Sequence, residues 1–322
     1  MAIEIAGRTA AVALCLLPVV VHGQGYPNKT VRFIVPYAPG GPTDIVARLL
    51  GQRMSEAWAQ PVVVENRAGA NGNIAAEFVA KAPADGYTLF LGNTSILTIN
   101  PHSYRKIAYD PQKDFAPVSM VVAAPLVLIV HPSLPVKDVR GLVALAKAKP
   151  GQLTYASSGR GGISHMASEL LALSTGTSMI HVPYKGAGLA AADVLAGQVV
   201  MSLTSSVSSM PHVNAGRLRA LGVTSAKRTR SLPQLPAIAE FVPGYEVDPW
   251  YGVLVPGGTP DAIVKRIHAE IVRIAKLPDV GPRLTTDGGD VVANTPSEFA
   301  ALIKSDFDKW GQVARKAGLD LQ

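Results

Sequence analysis

Short apolar segments alternate with amphipathic helical segments along most of this chain, and this alternation restricts its possible folds more than any other feature. Val31–Val35 is a run of strand-forming residues that ends at Pro36. The helix that follows carries one apolar stripe, formed by Val46, Leu49, Leu50, Met54 and Ala57. Val62–Val64 and Thr88–Leu91 are the next predicted strands, with a helix over about Gly72–Lys81 between them. This order of elements predicts an α/β fold with mostly parallel sheets.

Two long apolar runs are each marked by proline. The run from Val118 to His131 contains Pro125, which a central strand would not tolerate, so it predicts two strands that meet at a crossover. A second run, Tyr245–Val255, predicts the return crossing. Two crossings indicate two lobes joined by a two-stranded hinge, with the C-terminal helices returning to the first lobe. We assign residues 24–124 and 247–322 to lobe 1 and residues 125–246 to lobe 2.

Residues 1–23 are predicted to form a secretory signal peptide. Arg8 precedes a proline-interrupted apolar run, Thr9–Val21, which is shorter than the roughly 20 residues that a helix needs to span a bilayer. Lipid attachment at Cys15 is the alternative, but the bulky Leu14 before it disfavours such processing. We therefore expect the mature chain to be exported. Cys15 is the only cysteine, so the mature chain is expected to have no disulfide and no thiolate metal site.

Composition and motifs argue against several classes of function. Apolar residues make up 48% of the chain and charged residues 16%, which is typical of a core-rich globular protein and not of a disordered one. The net charge of +7 is modest, and the basic stretch Arg217–Arg230 contains no aromatic residue, so no nucleic-acid partner is expected. The sequence contains no P-loop, Gly-x-Ser-x-Gly or His-Glu-x-x-His motif, and its seven histidines lack metal-ligand spacing. We expect no cofactor, no metal and no enzyme activity.

Two glycine-rich loops each connect a predicted strand to a predicted helix, one in each lobe. The first is Ala38–Asp44 and the second is Ser157–Ser164. Glycine lets the backbone approach a ligand closely, and the start of a helix leaves N–H groups unpaired, which together with the macrodipole favours an anion. Two such helix starts facing each other across a cleft would hold an anion between them. In the second loop, Ser157 and Ser158 add hydroxyl donors.

Structural roles compete with ligand binding at several of these positions. Thr43 or Asp44 would serve as a helix cap, and capping is the favoured role for Asp44 because a carboxylate repels an anion. His165 is expected to cap or to pack more readily than to touch a ligand. Arg160 could pair with a carboxylate in a bidentate manner and Lys185 could attract an anion, but solvent exposure is the favoured interpretation for both.

Polar residues also follow two other predicted strands. Gly92–Ser95 lies at a strand end in the first lobe, where the ligands of open α/β sheets collect. Thr204–Ser206 ends a strand of the second lobe with three hydroxyls, of which Thr204 and Ser205 are candidate ligand contacts. Each segment fits an ordinary polar turn as well as it fits hydrogen bonding to a ligand.

Several stretches in a fixed order resemble one family. They are Tyr26–Gly41 (YPNKTVRFIVPYAPGG), Val62–Gly69 (VVVENRAG), Asp85–Leu89 (DGYTL), Val182–Gly186 (VPYKG) and Gly216–Arg228 (GRLRALGVTSAKR). From about residue 26 to its C-terminus the chain resembles the solute receptors of tripartite tricarboxylate transporters, the Bug or TctC-like proteins. The resemblance implies a two-lobed periplasmic binding protein of type II, or Venus-flytrap, architecture. Such a receptor captures a small organic carboxylate, such as a di- or tricarboxylate or an aromatic acid, and delivers it to membrane permease subunits.

The resemblance also implies which residues contact the ligand. Carried over position by position, they are Gly40, Gly41, Thr43, Asn93, Thr94, Ser95, Ser157, Ser158 and Gly159. Two loops depart from the family pattern: Gly161–Ile163 lacks a further serine, and Thr204–Ser206 stands where an aromatic-Asp-Asn stretch is often found. These departures affect the expected ligand more than the expected fold. A monomer is expected, and a sensor for a signalling partner or an exported α/β hydrolase are the alternative functions.

Overall fold

The computed structural model describes residues 25–184, 186–285 and 289–319, so the predicted signal peptide lies outside the described residues. The strands are β1 (Val31–Val35), β2 (Val62–Asn66), β3 (Thr88–Asn93), β4 (Phe115–Ala123), β5 (Leu126–Val130), β6 (Thr154–Ser157), β7 (Ile180–Pro183), β8 (Met201–Ser205), β9 (Arg219–Val223), β10 (Trp250–Pro256) and β11 (Asp290–Val291). The helices are α1 (Pro42–Trp58), α2 (Asn73–Ala80), α3 (Asn100–Ser103), α4 (Val139–Ala148), α5 (Ile163–Thr175), α6 (Ala187–Leu195), α7 (Ser206–Asn214), α8 (Asp261–Ala275), α9 (Gly281–Leu284) and α10 (Pro296–Lys316). None of these described helices is both long and apolar enough to cross a membrane.

The strands form two sheets, which confirms the predicted two-lobed α/β architecture. The first sheet has the order β11-β4-β10-β3-β1-β2, and the second has the order β7-β6-β8-β5-β9. The expectation of mostly parallel sheets is wrong, because both sheets are mixed. Parallel pairs join β1 to β2 and β3, and β6 to β7 and β8. The antiparallel pairs all involve β5 or β10 or the edge pair β4 and β11.

The antiparallel pairings arise where the chain passes between the two sheets. As predicted, Pro125 separates two strands: β4 belongs to the first sheet and β5 to the second. The return passage runs beside this one, and the Ala124 amide donates to the Pro249 carbonyl at 2.7 Å. Two neighbouring passages of opposite direction enter the sheets as antiparallel strands, which the alternation of strands and helices could not reveal.

Helix α10 contributes to the cores of both sheets. It begins with a capping box, in which Thr295 accepts from the Glu298 amide and the Glu298 carboxylate accepts from the Thr295 amide. Near its start, Phe299 packs edge-on against Trp250 of the first sheet, with ring centroids 5.0 Å apart. Near its end, Trp310 is 1% exposed and belongs to the core cluster of the second sheet. The assignment of lobe boundaries stays a prediction, since α10 joins both cores.

Candidate functional site

A cavity of about 170 Å³ lies where the chain passes between the two sheets. Both passages contribute to its wall, and the rest comes from β5, β8, β10, the loop after β6 and the starts of three helices. The lining residues are Ala124, Leu126, Ser158, Ile163, Ser164, Ala187, Ala190, Ser202, Leu203, Thr204, Ser205, Pro249 and Tyr251. We call this cavity the interlobe cleft.

Three helices of the second sheet begin at the interlobe cleft. Each follows a strand of that sheet: α5 follows β6, α6 follows β7 and α7 follows β8. Their first turns contribute Ser164 and Ala187 to the wall, together with Ser205, which caps α7. The first N–H groups of a helix have no partner within the helix and carry a partial positive charge, so converging helix starts favour an anion.

Six of the thirteen residues that line the cleft carry a hydroxyl group. The Ser158 amide donates to Ser164 Oγ at 3.1 Å, and the two hydroxyls lie 3.2 Å apart. Ser202 Oγ donates to the Ala156 carbonyl at 3.0 Å. Thr204 Oγ1 lies 3.2 Å from the hydroxyl of Ser208. Hydroxyls can donate to an anionic ligand without placing a full charge in the cleft.

The second glycine-rich loop divides its predicted contact residues between the cleft wall and the protein interior. Ser158 lines the interlobe cleft, whereas Ser157 is fully buried and hydrogen-bonds to His181 Nε2 at 2.6 Å. Ser157 Oγ also accepts from the Gly159 amide at 3.2 Å, so neither residue lines the cleft in this structure. The partner of Ser157 lies 24 residues away in the sequence, and no local pattern indicates it.

His165 takes the capping and packing role that the sequence favoured. Its Nδ1 accepts from the Gly161 amide at 3.0 Å, and its ring stacks on His181 with centroids 3.8 Å apart. Burial, together with the charges of His181 and Arg160, lowers the pKa of His165 to about 3. Burial and the Arg160 charge lower the pKa of His181 to about 4. Arg160 is exposed, as expected, and Lys185 lies outside the described residues.

The first glycine-rich loop uses one of its predicted donors internally. The Gly40 amide donates to Asp44 Oδ2 at 2.9 Å, and Arg48 and Asn66 also donate to this carboxylate. Burial would raise the pKa of Asp44, but these hydrogen bonds outweigh burial and lower it. Asp44 therefore caps the helix start, as the sequence favoured, although it does so from the third helical position. Gly41 is the N-cap residue of α1. Because glycine has no side chain, this residue does not itself cap the helix with a side-chain hydrogen bond.

The end of β3 lies beside the interlobe cleft without lining it. Asn93 pairs across the sheet with Tyr251, which does line the cleft. Asn93 Nδ2 donates to the Tyr37 hydroxyl at 3.1 Å, and Thr94 Oγ1 accepts from the backbone N–H of Trp250 at 2.9 Å. Ser95 is buried at the start of a π-helical turn, Ser95–Ile99, that sequence patterns did not indicate.

Of the eleven residues predicted as ligand contacts, Ser158, Thr204 and Ser205 line the interlobe cleft. The remaining eight lie in the glycine-rich loops or at the end of β3 and stay predictions. Sequence analysis missed the contributions of β10 and of the start of α6. A signal for α6 was present, because the stretch Val182–Gly186 was recognised as a family motif that directly precedes Ala187. No sequence signal pointed to Tyr251.

Asp248 is the most perturbed acidic group near the cleft, in the return passage between the sheets. Its Oδ1 is buried and has no hydrogen-bond partner among the described residues. Burial first, and then the negative charges of Glu246, Asp290 and Asp306, raise the pKa of Asp248 to about 7, while Lys309 acts in the opposite direction. With a pKa of about 7, this carboxyl group stays protonated in the folded protein under weakly acidic conditions that ionise an ordinary aspartate.

Asp248→Asn is expected to change how stability depends on pH. Because folding raises the pKa, the wild-type free energy of unfolding should fall by about 4 kcal/mol relative to the variant as the pH rises from about 4 to about 8. The lowered pKa values of His165 and His181 act with opposite sign, but they cancel when the two proteins are compared. Urea unfolding at several pH values measures the difference. A pH-independent difference would show that Asp248 is ionised normally in the folded protein.

Comparison with known proteins identifies the family. The family model described as tripartite tricarboxylate transporter family receptor matches residues 46–319. The chain belongs to this family. Protein BugT of Bordetella pertussis is 35% identical over 304 residues, covering 94% of this chain and 93% of BugT. Members of the family are periplasmic solute-binding receptors.

Two solved receptors from Rhodopseudomonas palustris have the same fold. Rpa4515, solved with adipate, is 37% identical with a TM-score of 0.80, over 92% of this chain and all of that one. MatC, solved with bound malate, is 32% identical with a TM-score of 0.75, over 90% of this chain and all of that one. These similarities confirm the predicted family and the two-lobed periplasmic binding protein fold.

Proposed function

We propose that this receptor binds a small organic carboxylate in the interlobe cleft and delivers it to the permease of a tripartite tricarboxylate transporter. The observation that carries the proposal is the convergence of three helix starts, α5, α6 and α7, on a hydroxyl-lined cavity between the two sheets. Such a wall neutralises a carboxylate through N–H groups and hydroxyls. Adipate and malate, bound by the two similar receptors, are both carboxylates.

Closure of the lobes would complete the site. The Gly40–Thr43 loop and Asn93–Ser95 follow the parallel strands β1 and β3, so they lie at the same edge of the first sheet. We propose that closure brings this edge onto a ligand held by the second sheet. The ligand then stabilises the closed form, because it contacts both lobes only in that form. We further propose that the receptor acts as a monomer, is exported by residues 1–23 and presents the closed form to the permease.

A thermal-shift screen tests the proposed ligand class. The purified receptor is heated with mono-, di- and tricarboxylates and with aromatic acids, beside the matching amides. A carboxylate present at 100 times its Kd should add about 2.7 kcal/mol to the free energy of unfolding. The uncharged amides should add nothing. No shift with any acid, or equal shifts with acids and amides, would contradict carboxylate binding.

Gly41→Val tests the contribution of the first glycine-rich loop. A Cβ at Gly41 would meet only the Ala38 carbonyl, at 3.9 Å, so the variant should fold. Valine is a poor N-cap and should cost up to about 1 kcal/mol of stability. Its branched side chain should block the backbone from the ligand and weaken binding at least 100-fold, as measured by calorimetry. Gly41→Ala should give an intermediate loss, and unchanged affinity in both variants would remove this loop from the site.

A further inference from the structure

We propose that His165 and His181 are positioning residues for ligand binding, which hold the second glycine-rich loop in the conformation that presents Ser158 to the interlobe cleft. Neither imidazole is part of the cleft lining. The inference rests on the proposed function and extends it to two side chains behind the cleft wall. It predicts that the hydrogen bonds of the two imidazoles, and not only their packing, set the affinity for a carboxylate.

The two histidines hydrogen-bond to two different positions of the same loop. His181 Nε2 lies 2.6 Å from Ser157 Oγ, and His165 Nδ1 accepts from the Gly161 amide at 3.0 Å. Ser158, which lines the cleft, lies between these two attachment points. The loop therefore faces the ligand site on one side and the imidazoles on the other.

Packing fixes the orientation of both imidazoles. Their ring centroids lie 3.8 Å apart, and the His181 ring also stacks on Tyr155 at 5.0 Å. The Tyr155 hydroxyl in turn donates to the Glu169 carboxylate. With their lowered pKa values, both imidazoles are neutral near pH 7, so His165 Nδ1 keeps the lone pair that accepts from the loop. Side chains held in this way can define the geometry of a neighbouring binding loop.

The attachment to His165 is expected to matter more than the attachment to His181. The start of the loop is also held by the backbone, since the Ser158 carbonyl accepts from the Gly186 amide at 3.1 Å. Gly161 is buried, and its amide donates to the His165 side chain. A buried amide that loses its acceptor is costly, so the loop should move until this amide reaches water or another acceptor.

Paired substitutions at His165 separate hydrogen bonding from packing. His165→Leu removes the acceptor, whereas His165→Asn removes the same ring but places an amide oxygen near the position of Nδ1. Calorimetry with adipate and with L-malate measures the Kd of each variant. His165→Leu should raise the Kd roughly tenfold or more, and His165→Asn should recover most of this loss. Hydrogen exchange at the Gly161 amide should also be roughly tenfold faster in His165→Leu than in the wild type, and near the wild-type rate in His165→Asn.

A second pair tests His181 and keeps the comparison possible if His165→Leu does not fold. His181→Leu should raise the Kd by about threefold, and His181→Gln should raise it less, because its amide group can reach Ser157. His268→Leu is the matched control. It removes a histidine whose Nε2 bonds to the Asn294 carbonyl at 3.0 Å, in helix α8 and outside the cleft lining. It should leave the Kd unchanged.

Equal rises in Kd for the leucine variants and their amide counterparts would show that the imidazoles act through packing alone, and would overturn the inference. An unchanged Kd in His165→Leu would overturn it as well, while leaving carboxylate binding intact. If neither acid binds the wild type, the proposed function is wrong for these acids. Hydrogen exchange then decides the role of His165, and an unchanged rate at Gly161 in His165→Leu would contradict it.

Discussion

Replacing Trp310 with alanine should lower the free energy of unfolding by about 3–5 kcal/mol, the range typical of a large buried aromatic residue. Trp310 is 1% exposed and packs in the core of the second sheet, together with Val313 and Ala314 of the same helix. The other end of that helix is anchored in the core of the first sheet by Phe299. The substitution therefore removes packing from the helix that joins the two cores. Denaturant unfolding with far-UV circular dichroism measures the loss.

Trp310→Phe is the informative control for this prediction. The indole Nε1 of Trp310 is buried and has no hydrogen-bond partner among the described residues. Trp310→Phe therefore removes no hydrogen bond and keeps most of the apolar contact. It should lower the free energy of unfolding by about 1–2 kcal/mol. A loss below about 1 kcal/mol for Trp310→Ala would show that the end of α10 is not anchored in the second core.

Ala187→Phe should weaken carboxylate binding at least 100-fold, equivalent to about 2.7 kcal/mol, while the protein stays folded. Ala187 is the first residue of α6 and lines the interlobe cleft, where an aromatic ring would take up much of the 170 Å³ cavity. The residue is exposed, so the ring meets no packed core. The helix itself should lose less than about 1 kcal/mol from the change in propensity. Calorimetry with an acid that stabilises the wild type measures the effect.

Leu189→Phe provides the comparison for Ala187→Phe. Leu189 lies on the same helix, is 57% exposed and does not line the cleft. An aromatic ring at this position should leave the affinity unchanged within about twofold. Equal losses in the two variants would mean that α6 is disturbed as a whole, and normal binding by Ala187→Phe would place the ligand elsewhere.

Features that depend on neighbouring residues were accessible from the sequence. The proline-marked run around Pro125 correctly indicated a passage between two sheets. The Thr295 capping box and the left-handed C-cap at Gly176 are likewise encoded by residues within one helical turn. These features depend on backbone conformation and on hydrogen bonds within a few residues, which local sequence specifies strongly.

Features that depend on distant residues were not accessible. Ser157 and Ser158 are adjacent serines in one loop, yet one is buried against His181 and the other faces the cleft. Tyr251 reaches the cleft because β10 pairs with β3 and β4, a pairing that brings together residues more than 100 positions apart.

The sequence alone therefore determined the family, the two-lobed α/β fold, the order of the elements and the loops at which helices begin. The tertiary structure decided that both sheets are mixed, that α10 joins the two cores and that three helix starts of the second sheet converge on one cavity. The division has a physical reason. Helix starts and turns are encoded by residues that are close together in the sequence. The hydrogen-bond partner of each hydroxyl or amide depends instead on which strands lie side by side after folding.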